Sequence, residues 1–516
     1  MKEIIYIQAG QFANHIGTHF WNAQQSYFTY GTDAEEPIVD HDVSFREGLN
    51  SSRESTFSPR LLLFDRKSNF GRVGDLYGPD VEEADEITES WEGDVVEYRQ
   101  DPIPPSQFHK DLEEEEQKEG RDDGPHSTEK ASTRREKIRY WSDYTMVYYH
   151  PRSLQRLPDL PDWDDSEGDW GSGEEMFERH DEDTDFMEGS FRTFVEECDH
   201  LQGIQITHDT ATFGSFTNVL LTKLRDGFSK LPCVTFPCLS SSIPGKIDVD
   251  NIREIKLALN DALVLQGLCE LDTTTVPLQS PATWTAGEWR KDMNLPTDDF
   301  YHTSAILSTH IESATLPFRL KKSTDDMSSL TSILNWRGNN RLAHLSGLLP
   351  ARTNMLFEHD IEKRIYDFSK FPSDEERLYG ARATYARVDV SRGFTEKTIK
   401  SYDEWANQFQ PLPHSIHAPI IDLPPSFPPL FEPKTSSVAA ISSIETTLLS
   451  SATFKAYGFL ANECLTRHSD VVARMGVELE EIKELKESMW ALEDAYKSDD
   501  DGVNSEDPGL GEDEEY

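Results

Sequence analysis

The chain reads as an α/β protein: a mainly parallel sheet with helices on both faces, then a second α+β and helical domain. Three stretches predict this. Residues 1–17, MKEIIYIQAGQFANHIG, give a largely apolar β-favouring run, a turn at Ala9-Gly10-Gln11, and a helix whose apolar face is Phe12, Ile16 and Phe20. Arg60-Leu61-Leu62-Leu63-Phe64-Asp65 is a buried-strand pattern ending in an acid. Residues 190–270 alternate helical and strand patterns, as a parallel sheet requires.

In chain order, the opening strand-turn-helix is followed by the 60–65 strand and a polar turn from Arg66 to Gly71. Residues 80–135 are acidic, carry Pro102, Pro104 and Pro105, and read as a long insertion with one strand-like patch at Asp94–Tyr98. Ordered sequence resumes at Trp141–His150, and the acidic, glycine-bearing stretch 159–188 reads as a second insertion. Then come a helix over 190–200 with Phe191, Phe194 and Val195 apolar, a strand over Gly203–His208, and a helix over 216–228 with Val219, Leu220 and Leu224 on one side. A strand at Cys233–Phe236 and a long apolar helix at Ile252–Leu268 complete this domain, taken as residues 1–270.

The second domain, 271–498, is less regular. Residues 302–316 and 328–336 predict helices, and Tyr385–Val390 a strand. Residues 411–433 hold eight prolines and read as an extended connector. Helices are expected at 436–450 and 453–467, then a charged one over Val471–Tyr496, where Glu480, Glu484 and Glu487 alternate with Lys483 and Lys486 on a solvated face. Residues 499–516 read as a disordered acidic tail.

The formal charge is -45, and it is concentrated. Segments 80–101, 111–124, 159–188 and 499–516 carry net charges of -9, -6, -13 and -9, which leaves about -8 for the rest of the chain. The acid therefore belongs to insertions and tail. A field of this sign disfavours nucleic acid and anionic membrane surfaces and attracts basic partners. The basic run Lys130–Arg139 offsets its acidic flanks. Five scattered cysteines, with no CxxC pair, exclude a disulfide scaffold and imply a reducing compartment. No apolar run approaches the roughly 18 residues of a membrane span, and the N-terminus has neither a secretory nor a transit-peptide pattern. Any contact with an organelle is expected to be peripheral.

HExxH, GxGxxG, Walker and GxSxG motifs are absent, so no catalytic residue and no metal-ligand set is expected. Ligands of parallel sheets bind at strand C-terminal ends. Here those ends are Gln8-Ala9-Gly10, Asp65-Arg66 and His208–Gly214. His208 is expected to pack at its strand end, and Asp209 to cap or hydrogen-bond the following loop.

MKEIIYIQAGQFANHIGTHFW resembles the N-terminus of tubulins, and Cys198-Asp199-His200-Leu201-Gln202-Gly203 is similar to the tubulin segment that leads into its glycine-rich phosphate loop. PRLLLFDRKSNFG at 59–71, YWSDY near 140, HPRS at 150–153, FVEECDHLQG at 194–203 and YHTSAILSTHIESATLPFRL at 301–320 resemble the Misato family. That resemblance spans most of 1–370. It implies a tubulin/FtsZ-like domain and a role in mitochondrial distribution, morphology and mitochondrial DNA inheritance, with spindle functions in animal relatives. It also implies a location at the mitochondrion, on its cytosolic face, and in the cytoplasm.

By the same resemblance, nucleotide contacts would fall on Gly10, Gln11, Asn14, Asp65, Gly214 and Ser215, with GTP as the candidate ligand. The chain departs from the tubulin pattern at Ala13 and His15. Asp209-Thr210-Ala211-Thr212-Phe213-Gly214-Ser215, with one glycine, stands where tubulins have a glycine-rich run. Glycine gives the close backbone approach and positive φ of a phosphate cradle, whereas Phe213 and Asp209 bring bulk and negative charge. The tubulin segment that supplies a hydrolytic acid has only a superficial counterpart at Asn294-Leu295-Pro296. The expectation is a tubulin-like, non-enzymatic, partner-binding protein without a resident cofactor. Its rivals are a GTP-binding, polymerising GTPase and a tubulin-associated assembly or chaperone factor. Expected partners are accordingly proteins: tubulin, chaperonin or mitochondrial outer-surface proteins, with no direct nucleic-acid contact. Glu512-Asp513-Glu514-Glu515-Tyr516 resembles the acidic, tyrosine-ended tails of some tubulins, which recruit basic partners.

Overall fold

The computed structural model describes residues 2–29, 36–49, 55–71, 110, 138–158, 169–248, 250–335, 338, 341–350, 361–370, 384–433 and 435–497. The 80–135 insertion (Lys110 apart), the strand at 94–98 and the 499–516 tail lie outside the described residues, as does nearly all of the basic run.

Strands are β1 (Glu3–Ala9), β2 (Phe45–Leu49), β3 (Ser55–Pro59), β4 (Leu61–Arg66), β5 (Leu154–Leu157), β6 (Leu201–Asp209), β7 (Cys233–Cys238), β8 (Thr274–Thr275), β9 (His344–Leu348), β10 (Tyr366–Asp367), β11 (Thr384–Arg392), β12 (His414–Ala418), β13 (Ile421–Asp422), β14 (Ser437–Val438) and β15 (Ala440–Thr447). Helices are α1 (Gln11–Gln25), α2 (Trp170–Thr184), α3 (Arg192–Glu196), α4 (Thr210–Gly227), α5 (Ile252–Glu270), α6 (Phe300–Thr315), α7 (Met327–Leu334), α8 (Ile361–Arg364), α9 (Glu396–Ala406), α10 (Ser450–Arg467), α11 (Ser469–Arg474) and α12 (Leu479–Tyr496).

The first sheet is six-stranded, in the order β5-β4-β1-β6-β7-β8, and every pairing is parallel. All seven residues of β1 are buried because both faces are covered. Alternation along the strand sends Ile5, Ile7 and Ala9 into one apolar cluster and Ile4 and Tyr6 into another. The first cluster lies under α2, α4 and α5; the second lies under α1, α6 and α7. A second sheet, β10-β9-β15-β11-β12, is antiparallel except for the β11–β12 pair.

Between the two sheets runs α6, whose residues from Tyr301 to Thr315 are all buried. Its one carboxylate is engaged internally. Glu312 receives Arg392 Nη1 at 3.0 Å, Arg319 Nη2 at 3.4 Å, Gln24 Nε2 at 3.1 Å and the Tyr27 hydroxyl at 2.9 Å. Four groups from α1 and its C-terminal flank, β11 and the turn after α6 thus meet on one buried carboxylate.

Four expectations are corrected. Residues 170–184 of the acidic stretch 159–188 form α2, whose Trp170, Gly173, Phe177 and His180 are buried at helical spacing. Its acids mark a solvated face of a packed helix. Residues 440–447, expected within a helix, are the central strand β15: all eight are buried, and the β-branched and small residues fit between β9 and β11. Within the proline-rich connector, His414–Ala418 is an edge strand paired parallel to β11, a position that tolerates Pro411, Pro413 and Pro419 around it. The boundary expected at 270/271 is crossed by packing, since Phe454, Leu460, Ile482, Leu485 and Met489 of α10 and α12 join the same cluster as Ile5 and Ile7.

Candidate functional site

A cleft of about 280 Å³ opens at the C-terminal ends of β1, β4, β6 and β7, lined by Gln11, Phe12, Asp65, Arg66, Asn69, Asp209, Phe213, Ser240 and Phe300 among others. It lies where the strand order places a ligand site in an open parallel sheet.

At its base, Gly10 has φ 108, which lets β1 turn directly into α1. Its N–H donates to the Phe64 carbonyl at 3.1 Å, tying the turn to β4. The first turn of α1 presents backbone N–H groups, and a carboxylate is seated on them. Asp209 Oδ2 accepts from Phe12 N and Oδ1 from Ala13 N, both at 2.9 Å. The anticipated capping by Asp209 is thus directed across the sheet to α1; its own helix, α4, receives no side-chain cap. Burial drives the Asp209 carboxyl up to about 7, and the nearby Asp65 charge pushes the same way against the two N–H donors.

Asp65, at the cleft lining, has no solvent-exposed surface. Its Oδ1 accepts from Arg66 N and Asn69 Nδ2, both at 2.8 Å, and its Oδ2 from Asn14 Nδ2 at 2.9 Å and Trp141 Nε1 at 3.1 Å. Burial raises its carboxyl above the usual range, and these donors pull it back. Asp65 organises the β4 turn; its oxygens are committed to the protein.

Of the six residues singled out by resemblance, Gln11 and Asp65 line the cleft and Gly10 underlies it. Asn14 is buried, and its amide is spent on Asp65 and the Phe64 carbonyl. Gly214 and Ser215 are elsewhere. β6 ends at Asp209 and α4 begins at Thr210, so the expected loop is a helix that carries both residues into packing. A Cβ on Gly214 would stand 2.7 Å from Val264 of α5, and one on Gly173 of α2 would stand 2.0 Å from Ser215 Oγ. Phe213 is 1% exposed, touches the cleft wall and packs edge-on to Phe216. His208 is buried at its strand end with neither ring nitrogen partnered among the described residues, and burial drives its pKa down to about 3.

Sequence reasoning missed a second buried acid. Asp261 of α5 accepts from the Thr210 hydroxyl at 2.5 Å and the Ser240 hydroxyl at 2.7 Å, and the Tyr457 hydroxyl of α10 lies 3.5 Å away. Burial raises its carboxyl to about 6. No local motif marks it, because its three partners come from three distant segments.

A nucleotide's phosphates do not fit this arrangement. The N–H groups that would receive them hold Asp209, Asp65 adds like charge, and Gly214 and Ser215 are used in helix packing. Among the described residues no three His, Cys, Asp or Glu side chains are grouped to hold a metal ion.

Comparison with known proteins adds the lineage. Residues 2–114 match a family model described as the Misato Segment II tubulin-like domain, and residues 130–320 match one described as a tubulin domain. Protein DML1 of Gibberella zeae is 36% identical over 364 residues, covering 68% of this chain and 68% of that protein. Protein dml1 of Aspergillus niger is 30% identical over 529 residues, 97% of this chain and 100% of its own. Protein misato of Drosophila melanogaster is 30% identical over 355 residues, 63% of this chain and 61% of that protein.

Proposed function

Because the chain belongs to the Misato family of tubulin-like proteins, we propose that it is a non-hydrolysing tubulin-like factor that acts by binding protein partners in the partitioning of mitochondria and their DNA. The observation that carries the non-hydrolysing part is the direct run of β6 into α4: a strand ending at Asp209 and a helix starting at Thr210 leave no flexible loop to wrap a polyphosphate. The mitochondrial part rests on family membership. The protein works at the cytosolic face of the organelle as a peripheral component; among the described residues no helix is long and apolar enough to cross a membrane.

Calorimetry of the purified, magnesium-supplemented protein with GTP, alongside a phosphate-release assay, tests the chemistry. No binding heat and no release are expected; micromolar binding would overturn the reading in favour of a GTPase. Capture from lysate tests the partner class. Enrichment of mitochondrial outer-surface proteins is expected, and enrichment of tubulin and chaperonin subunits in their place would make this an assembly factor. Loss of the gene product should leave daughter cells short of mitochondria while bulk DNA segregates normally.

A further inference from the structure

We infer that Asp209 is the built-in occupant of the anion seat on α1: the chain's own carboxylate stands where a phosphate would otherwise sit, and it turns a ligand-binding turn into a fixed joint between the β1–α1 and β6–α4 units. This deepens the reading just given and rests on it.

Three sets of contacts converge on it. The seat itself is intact. Gly10 keeps a positive φ of 108, and the space its missing side chain leaves is filled by Asp209, whose Oδ2 would stand 2.5 Å from a Cβ built there. Both carboxylate oxygens are used, one on Phe12 N and one on Ala13 N, in the two-point contact that a phosphate makes with a helix N-terminus. Finally, the carboxylate is held there from behind. Thr210, the next residue, lies with its hydroxyl 2.5 Å from Asp261 Oδ1 and 3.0 Å from the Cys238 carbonyl oxygen. Asp261 is itself gripped by the Ser240 hydroxyl at 2.7 Å and approached by the Tyr457 hydroxyl. The β6–α4 junction is thereby pinned to α5, β7 and α10, so Asp209 cannot swing out of the seat without breaking that buried set. An incoming phosphate would have to displace a carboxylate that costs it nothing in translational entropy and would meet the Asp65 charge behind it.

The test compares the full-length protein with Asp209→Ala and Asp209→Asn, using inorganic pyrophosphate and GTP as calorimetric probes. The wild type is expected to bind neither. Asp209→Ala empties the seat and should gain measurable pyrophosphate binding, with a Kd at least about tenfold below the assay's detection limit, at which the wild type shows none. Asp209→Asn removes the charge but still fills the space, and should gain much less. A measurement on the unaltered protein covers the case in which Asp209→Ala does not fold: the amides of Phe12 and Ala13 should be protected from hydrogen exchange without nucleotide, and no more protected after GTP is added. If the wild type binds GTP, both this inference and the proposed function fail. If the wild type binds nothing and a folded Asp209→Ala also binds nothing, only this inference fails, as it does if the two amides exchange freely.

Discussion

The Cβ that Gly10 lacks would stand 2.5 Å from Asp209 Oδ2, so two residues 199 positions apart share one atom's worth of space. A side chain at position 10 and a carboxylate at position 209 are mutually exclusive.

Gly10→Ala should therefore destabilise the protein by about 2–3 kcal/mol, from a positive φ that alanine resists and from the displaced cap. Asp209→Ala in the same background should cost less than the sum of the two single changes, because the clash disappears with the carboxylate. Urea melts of the four proteins in this cycle check the sign.

Ser215 and Gly173 offer the same kind of test for packing. Gly173→Ala places a methyl 2.0 Å from Ser215 Oγ and should cost about 1–3 kcal/mol. Ser215→Ala should restore much of that loss, since the remaining contacts of the new Cβ are 3.3 Å to Phe216 N and 3.4 Å to Ser215 Cβ. If Ser215→Ala were instead to alter nucleotide affinity with no effect in the Gly173→Ala background, its place in the helix contact would be refuted.

Acid pH acts through opposing groups. Burial lowers His15 to about 4 and His19, His208 and His310 to about 3, so each stabilises the fold above its unfolded pKa of 6.5, and that contribution is lost as pH falls. Asp209 and Asp261 are raised from 3.8 to about 7 and about 6, so their contribution is complete below 3.8 and is lost as pH rises through those values. Net stability should fall below about pH 6.5 as the four histidines outweigh the two acids. The stability of Asp209→Asn relative to wild type should be most favourable above pH 7 and decline by roughly 1 kcal/mol per pH unit as pH falls toward 4. Melting temperatures measured from pH 5 to pH 8 report both trends.

Arg392→Met should be among the most damaging substitutions. It removes the 3.0 Å partner of Glu312 Oε2 inside the core and leaves that carboxylate, among the described residues, with only the longer 3.4 Å Arg319 contact as an ion pair. The expected loss is about 3–5 kcal/mol, with Arg392→Met/Glu312→Gln milder than Arg392→Met alone, measured by chemical denaturation.

Much of the first sheet was legible because its signals are local. An uninterrupted apolar run buried on both faces gave β1 and β4, and helical spacing gave α1, α4 and α5. The location of the cleft followed from the strand ends. What escaped was set by distant neighbours. The acids of α2 concealed a helix whose buried face is only Trp170, Gly173, Phe177 and His180. Ser442, Ser443 and Glu445 are polar residues in a core strand, yet Ser442 Oγ meets His310 and Ser443 Oγ and Glu445 Oε2 meet Arg387, partners that come from other elements. Asp209 is expected to cap or hydrogen-bond the loop that follows it, and it caps α1 instead; no local pattern could name a helix 197 residues away.

The packing of α12 bears on how the protein is made. Ile482, Leu485, Met489 and Tyr496 complete the cluster that contains Ile5 and Ile7, and the Tyr496 hydroxyl closes on Leu342, accepting from its N–H at 2.6 Å. β1 is synthesised long before α12, so one face of the sheet that it anchors lacks this part of its cover until α12 has been made. A chain cut short before α12 should therefore expose apolar sheet surface, the condition that favours aggregation of partly folded species.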